Sequence, residues 1–303
     1  MENIFDIAII GGGTAGMSAA IYGSRAGREV ILIEKSVYGG QIISSSEVEN
    51  YPAFSPSTGY DFAIELHQQV CSLDIKQVTD EVTSISCDDY ITVKCTLHSY
   101  QARTLIISTG TVSRTLSLPG EEKYLGRGLS YCAVCDGAFH KGKVTAVVGG
   151  GNTAIEEALY LAMLCKRVYL IQRGDSLTGE ESLITQISSR ENIEVLLNTT
   201  VKQLKGDVVL GSIIISSGSK TSELNISGLF VAVGRVPQNN IFEGIVELDD
   251  DGYIIAEEDC RTSRAGIFAA GDCRTKELRQ LVTAAADGAR AATEAVRYLK
   301  AIH

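Results

Sequence analysis

The sequence predicts an α/β fold of two Rossmann-like, FAD/NAD(P)-binding-type domains, one inserted in the other. Three observations carry this: one strand–Gly turn–helix–strand pattern occurs twice, an apolar segment near the C-terminus belongs with the first copy, and 303 residues suit two cores better than one.

The first copy runs through the apolar strand Asp6–Ile10, the turn Gly11-Gly12-Gly13-Thr14-Ala15-Gly16, a helix to about Arg25 and a strand from Val30 that closes at Glu34. The second runs through Val144–Val148, Gly149-Gly150-Gly151-Asn152-Thr153-Ala154, a helix to about Cys165 and a strand from Val168 that closes at Gln172. Glu34 lies 23 positions after Gly11, and Gln172 lies 23 after Gly149. A single Gly-x-Gly-x-x-Gly is weak evidence, but two copies in the same setting and spacing are strong. The first Gly permits the tight turn, the second admits a pyrophosphate to the backbone, and the third small residue lets helix and strand pack closely. The helix start then offers free N–H groups to phosphate.

Each half adds a second apolar strand ending on Gly, Leu105–Gly110 and Leu229–Gly234. Gly266–Asp272 follows near the C-terminus, with an Ala-rich helix from Gln280 to Leu299. Asp272, just past an apolar strand, is placed to bind a flavin ribityl or phosphate-linked hydroxyl. The expected organisation is a discontinuous domain, 1–113 with 246–303, and an inserted one, 114–245, with joints near Arg114–Gly120 and Pro237–Gly244 where turn residues gather.

The strand-end residues differ. Glu34 supplies a carboxylate for both ribose hydroxyls of an adenosine, which favours FAD or NAD and disfavours a 2′-phosphate. Gln172 supplies none, and Arg173 is the one cation before Gly174, Asp175 and Thr178.

The net charge of −10, from 27 basic and 37 acidic residues, argues against a broad nucleic-acid or anionic-membrane surface. No apolar run is long enough to span a membrane. The N-terminus has no basic n-region or cleavage site, so a cytoplasmic location is expected. In that compartment eight Cys do not imply a disulfide framework, and the six scattered ones read as small buried hydrophobes.

Cys132 and Cys135 are different, because they stand three apart just before the second Gly turn. A structural zinc site would need two further ligands, and His140 is the only His nearby. A redox dithiol at the start of a helix needs nothing more, since the helix start stabilises a thiolate and the spacing allows a reversible disulfide. Asp136 reads either as the acid or base that protonates a leaving thiolate or as a helix cap.

At this point the chain resembles the low-molecular-weight thioredoxin reductases over nearly its whole length. The resemblance rests on the two Gly turns, Gly39-Gly40-Gln41, Val48-Glu49-Asn50-Tyr51-Pro52, Ser108-Thr109-Gly110, Cys132-Ala133-Val134-Cys135-Asp136-Gly137, Ala270-Gly271-Asp272-Cys273 and Arg279-Gln280. It implies a homodimer with FAD in the discontinuous domain. The flavin residues would be Gly11, Gly13, Thr14 and Ala15, with Glu34, Gly40, Gln41, Asn50, Thr109, Gly110, Asp272, Arg279, Gln280 and Leu281. It also implies electron flow from reduced flavin to the Cys132–Cys135 disulfide and on to thioredoxin. Cys135 would then be nearer the flavin, and Cys132 would attack thioredoxin.

The sequence departs from this family where NADPH is read. NADPH-using members carry His-Arg-Arg and a further Arg four residues beyond, where this chain has Gln172, Arg173, Gly174 and Thr178. Charge-assisted contacts of roughly 1.5–3 kcal/mol each are missing. A subset of the family lacks this motif and takes electrons from ferredoxin, so ferredoxin is the expected donor, with NADPH or NADH used through a rebuilt pocket as the alternative. Low-potential ferredoxins near about −400 mV would drive a thioredoxin near about −270 mV downhill by roughly 6 kcal/mol. The stretch with Arg274, Lys276, Arg279, Arg290, Arg297 and Lys300 reads either as a basic docking face for an acidic ferredoxin or as an ordinary solvated helix.

Overall fold

The computed structural model describes residues 4–45, 48–55 and 57–302. The chain divides into Met1–Val112 with Val236–His303, and Ser113–Arg235. It crosses between them through the strands Thr111–Ser113 and Arg235–Pro237, which pair with each other.

The discontinuous unit is built on a seven-stranded sheet. Parallel strands Lys76–Thr79, Val30–Glu34, Ile4–Ile10 and Ser99–Ile107 lie in that order. Ile267–Ala269 pairs parallel with the end of Ser99–Ile107, while Ile91–Cys95 and Val82–Cys87 continue antiparallel from its start. Ile7, Ala8, Ile9 and Ile10 are all buried because both faces of this central strand are covered. The helices Thr14–Arg25 and Leu281–Ala301 cover one face, with Ala15, Ala19 and Ala20 against Ala291, Ala292 and Ala295. Small residues let the helix backbones meet: a Cβ on Gly288 would lie 2.0 Å from the Ala15 carbonyl oxygen. Gly288→Ala is therefore expected to cost about 1–3 kcal/mol, read as a lower urea midpoint at unchanged slope.

The second unit has a five-stranded parallel sheet in the order Ile193–Leu196, Arg167–Ile171, Val144–Val148, Gly228–Val231 and Leu129–Ser130. The helix Asn152–Leu164 packs on one face, and an antiparallel sheet of Thr199–Lys205, Ser212–Ser217 and Lys220–Asn225 adds to the core on the other.

The second joint falls ten residues earlier than the sequence suggested, after Arg235 rather than before Val246. The reason is Asn239 and Phe242. Buried Asn239 donates to the carbonyls of Gly252 and Cys273 at 2.9 and 2.8 Å and accepts from Thr109. Phe242 is fully buried among Ile10, Ile107 and Ile267 of the discontinuous unit's core. The first joint shifts by one residue, to Val112/Ser113. The scattered Cys also depart from expectation, since Cys71 is exposed at a helix end and Cys87 half-buried, while Cys95, Cys165, Cys260 and Cys273 are buried. Among the described residues no helix is long and apolar enough to cross a membrane.

Candidate active site

The first Gly turn leads into the helix Thr14–Arg25, whose cap residue Gly13 makes no side-chain cap and whose first turn carries no acid. Gly11 is held at φ +104, and a Cβ there would lie 2.3 Å from the Ser108 carbonyl oxygen. Glu34 closes its strand as a buried carboxylate, taking the Gly12 N–H at 2.6 Å and the Ser36 N–H at 3.0 Å. Tyr38 lies over Gly12, and burial, reinforced by the Glu34 charge, pushes its phenol up to about 12. Gly271 packs against Ala15, which sets Asp272 beside this helix start. These features fit FAD: an uncapped helix start for the pyrophosphate, a buried carboxylate for the ribose, and Asp272 at the same turn.

The other expected flavin residues fall into local pairs. Gln41 donates to the carbonyl and hydroxyl oxygens of Thr111 at 2.8 and 2.9 Å, next to Gly110, and Gly40 lies against Gly13. Asn50 donates to Gln280 at 3.2 Å, just before Leu281 opens its helix. Arg279 sets its guanidinium 4.2 Å from the ring centre of Tyr253.

Sequence reasoning missed Asp287. This buried carboxylate takes the Gly271 N–H at 2.9 Å, two Arg274 N–H groups at 2.9 and 2.8 Å, and the Lys276 ammonium at 2.8 Å. Burial pushes its carboxyl up, but the hydrogen bonds and charges of Arg274 and Lys276 outweigh this and hold it below the usual carboxylate range. The only available signal was an Asp among small residues in an Ala-rich helix.

The same network engages four of the six cations in the stretch read as either a docking face or a solvated helix. Arg274 and Lys276 are turned inward onto Asp287, while Arg290 and Arg297 are paired with Glu294, as is Arg261.

In the second unit the loop after Arg167–Ile171 folds back over its Gly turn. Thr178 donates its N–H and hydroxyl to the Gly150 carbonyl at 2.7 and 3.2 Å. The Gln172 amide is drawn to the Ser176 carbonyl at 3.1 Å and lies so close over Gly150 that a Cβ there would be 2.3 Å from it. Asn152 exchanges hydrogen bonds with Glu180 at 3.1 and 2.7 Å. Burial and the nearby Glu180 charge push the Glu156 carboxyl up, so the surroundings of this turn are acidic.

Cys132 and Cys135 are joined as a disulfide. Cys132 caps the short helix Ala133–Asp136, with its sulfur accepting the Cys135 N–H at 3.1 Å. Ser130 holds the Cys132 backbone from both sides, accepting its N–H at 3.0 Å and donating to its carbonyl at 3.2 Å. Buried Glu121 accepts the hydroxyl of the preceding Tyr131 at 2.7 Å. Asp136 makes no side-chain cap to the following turn Gly137–His140. The arrangement suits thiol–disulfide exchange, because the N–H aimed at the Cys132 sulfur favours a thiolate there once the bond is reduced.

Residues 5–288 match the family model described as pyridine nucleotide-disulphide oxidoreductase. The chain is 39% identical to a thioredoxin reductase of Peptoclostridium acidaminophilum over 99% of both proteins. It superposes on the Lactococcus lactis thioredoxin reductase with a TM-score of 0.94 at 35% identity, covering 98% of this chain and 99% of that one. It is also similar to a ferredoxin-flavin thioredoxin reductase of Clostridium acetobutylicum, with a TM-score of 0.56, 29% identity and 99% of each chain covered. With a disulfide-bonded Cys-x-x-Cys beside the second of two Gly turns, this chain belongs to the thioredoxin reductase family of pyridine nucleotide-disulphide oxidoreductases.

Proposed function

We propose that this chain is a flavin-dependent thioredoxin reductase that passes electrons from reduced FAD to the Cys132–Cys135 disulfide and on to thioredoxin, with a ferredoxin as the electron donor. The observation that carries the dithiol chemistry is the Cys135 N–H held on the Cys132 sulfur. FAD, the family's cofactor, supplies a store from which two electrons reach the disulfide.

Reduction breaks the Cys132–Cys135 bond and leaves two sulfur groups. The Cys132 thiolate attacks one sulfur of the thioredoxin disulfide, forming a mixed disulfide and expelling a thiolate, which takes a proton from Asp136 or solvent. Cys135 then attacks the Cys132 sulfur, restores the internal disulfide and releases reduced thioredoxin.

The donor assignment rests on the second Gly turn. Its ribose reader is Gln172, whose amide lies over Gly150, Thr178 is spent on the Gly150 carbonyl, and Glu156 and Glu180 make the surroundings acidic. Within residues 172–178, a 2′-phosphate is offered one cation, Arg173. The Clostridium acetobutylicum relative, whose name includes ferredoxin, supports such a donor. A second reading keeps NADPH or NADH. It is favoured by the uncapped start of the helix Asn152–Leu164, which has no acid in its first turn and remains suited to a pyrophosphate. The family resemblance extends the proposal to a cytoplasmic homodimer, checked by the protein's mass in solution.

Anaerobic mixing of the yellow protein separately with NADPH, NADH and chemically reduced ferredoxin tests the donor. Ferredoxin alone is expected to bleach the flavin band quickly, with added thioredoxin restoring it. Rapid bleaching by either nicotinamide would overturn the donor assignment and leave the reductase reading intact.

A further inference from the structure

The helix that follows the second Gly turn carries two adjacent carboxylates, Glu156 and Glu157, and they face different surroundings. Glu156 is the more exposed of the two, while Glu157 turns inward. One Glu157 oxygen accepts the Ala133 N–H at 3.3 Å, and the other is buried with no hydrogen-bond partner. Ala133 is fully buried and is the first residue of the turn that links Cys132 to Cys135. The N–H of a first helical residue has no acceptor within its own helix, so an outside group must supply one. The thiol–disulfide exchange itself makes no use of Glu157.

We infer that Glu157 is a positioning residue of the redox centre: its carboxyl group holds the Ala133 peptide and so fixes the geometry at which Cys132 presents its sulfur. The inference rests on the thioredoxin reductase reading. Cys132 is then restrained on each flank, by Glu121 through Tyr131 and by Glu157 through Ala133, with Ser130 on its own backbone. Among the described residues, no side chain from another element holds Cys135, whose N–H rests on the Cys132 sulfur. This asymmetry suits a pair in which Cys132 attacks from a fixed position and Cys135 moves to it.

The carboxyl also makes the hold dependent on pH. Burial pushes Glu157 up to about 7; the Ala133 hydrogen bond and the Arg235 charge pull the other way, and Glu156 adds to the rise. Asp136 and the two sulfurs belong to the short helix packed against the helix that carries Glu157, and His140 to the turn after it. Of the other elements packed on that helix, Val144–Val148 contributes no ionisable side chain, Arg167–Ile171 and Ile193–Leu196 carry Tyr169 and the ion pair Arg167–Glu194, and Glu181–Ser188 carries Glu181. A carboxylate accepts an N–H more strongly than a neutral acid does, so the restraint on Ala133 tightens as pH rises through about 7.

Two variants test this. Glu157→Leu removes the acceptor, while Glu157→Gln keeps an oxygen for Ala133 but does not titrate. Turnover with thioredoxin is measured across pH, and disulfide reduction by dithiothreitol is followed separately by thiol alkylation, which needs neither donor nor flavin. Glu157→Leu is expected to lower kcat roughly tenfold or more with KM for thioredoxin little changed. Glu157→Gln is expected to recover most of that loss, and the ratio of wild-type to Glu157→Gln rates to rise through about pH 7. Flavin content and urea unfolding identify a variant that has merely failed to fold, and Glu157→Gln then carries the test. A wild-type kcat in Glu157→Leu, or a wild-type to Glu157→Gln ratio that is flat or falls with pH, overturns the inference. If dithiothreitol opens the disulfide but wild-type protein does not reduce thioredoxin, the reductase reading fails instead.

Discussion

Cys132→Ser and Cys135→Ser are each expected to cut thioredoxin reduction at least about a thousandfold while leaving the bound flavin in place. Exchange needs both sulfurs: one forms the mixed disulfide and the other resolves it. The two losses should look different. With Cys135 replaced, Cys132 can still attack but the mixed disulfide cannot be resolved, so a covalent adduct with thioredoxin should accumulate and be visible without reductant. With Cys132 replaced, little adduct should form, because the N–H that favours a thiolate is aimed at the Cys132 sulfur. Substantial turnover in either variant would point to a flavoprotein that moves electrons between ferredoxin and a nicotinamide, with the Cys pair as bystanders. Adduct formation only through Cys135 would reverse the two roles.

Asp287→Ala is expected to lower stability by about 3–5 kcal/mol, because it leaves Arg274 and Lys276 buried without their shared carboxylate. It should also lower flavin content, since the Gly271 N–H loses its acceptor in the turn that carries Asp272. The pH response follows from the direction of the shift. The Asp287 carboxyl is held below its ordinary value, so its contribution is present above the unfolded value of about 4 and is lost as pH falls through the lower folded one. Urea unfolding from neutral to acid pH, with flavin absorbance per protein, checks both effects. An Asp287→Ala protein within about 1 kcal/mol of wild type would show that the cluster contributes little.

Much of this molecule could be read along the chain. The Gly turns, the apolar strands beside them and the Cys pair are local signals, because a tight turn, a strand buried on both faces and a three-residue disulfide loop each need particular residues at short spacing. Glu34 was legible for the same reason, since it sits where its strand must end. The second joint was less legible. Pro237 and Gly244 mark turns, but turns do not show which core a segment joins, and buried Asn239 and Phe242 assign residues 236–245 to the discontinuous unit.

The charged residues divide the two kinds of information most clearly. Read along the chain, Arg274, Lys276, Arg290 and Arg297 form a basic stretch, and Asp287 and Glu157 are unremarked acids in helices. Folding pairs those cations with Asp287 and Glu294 and turns Glu157 toward Ala133, 24 positions away. Sequence alone points to the dithiol and nucleotide chemistry, because backbone turns and a Cys-x-x-Cys are short-range devices. Which charges stay free and which carboxylates restrain the reacting groups depends on burial and partners brought together from distant positions, and that is decided only when the helices pack.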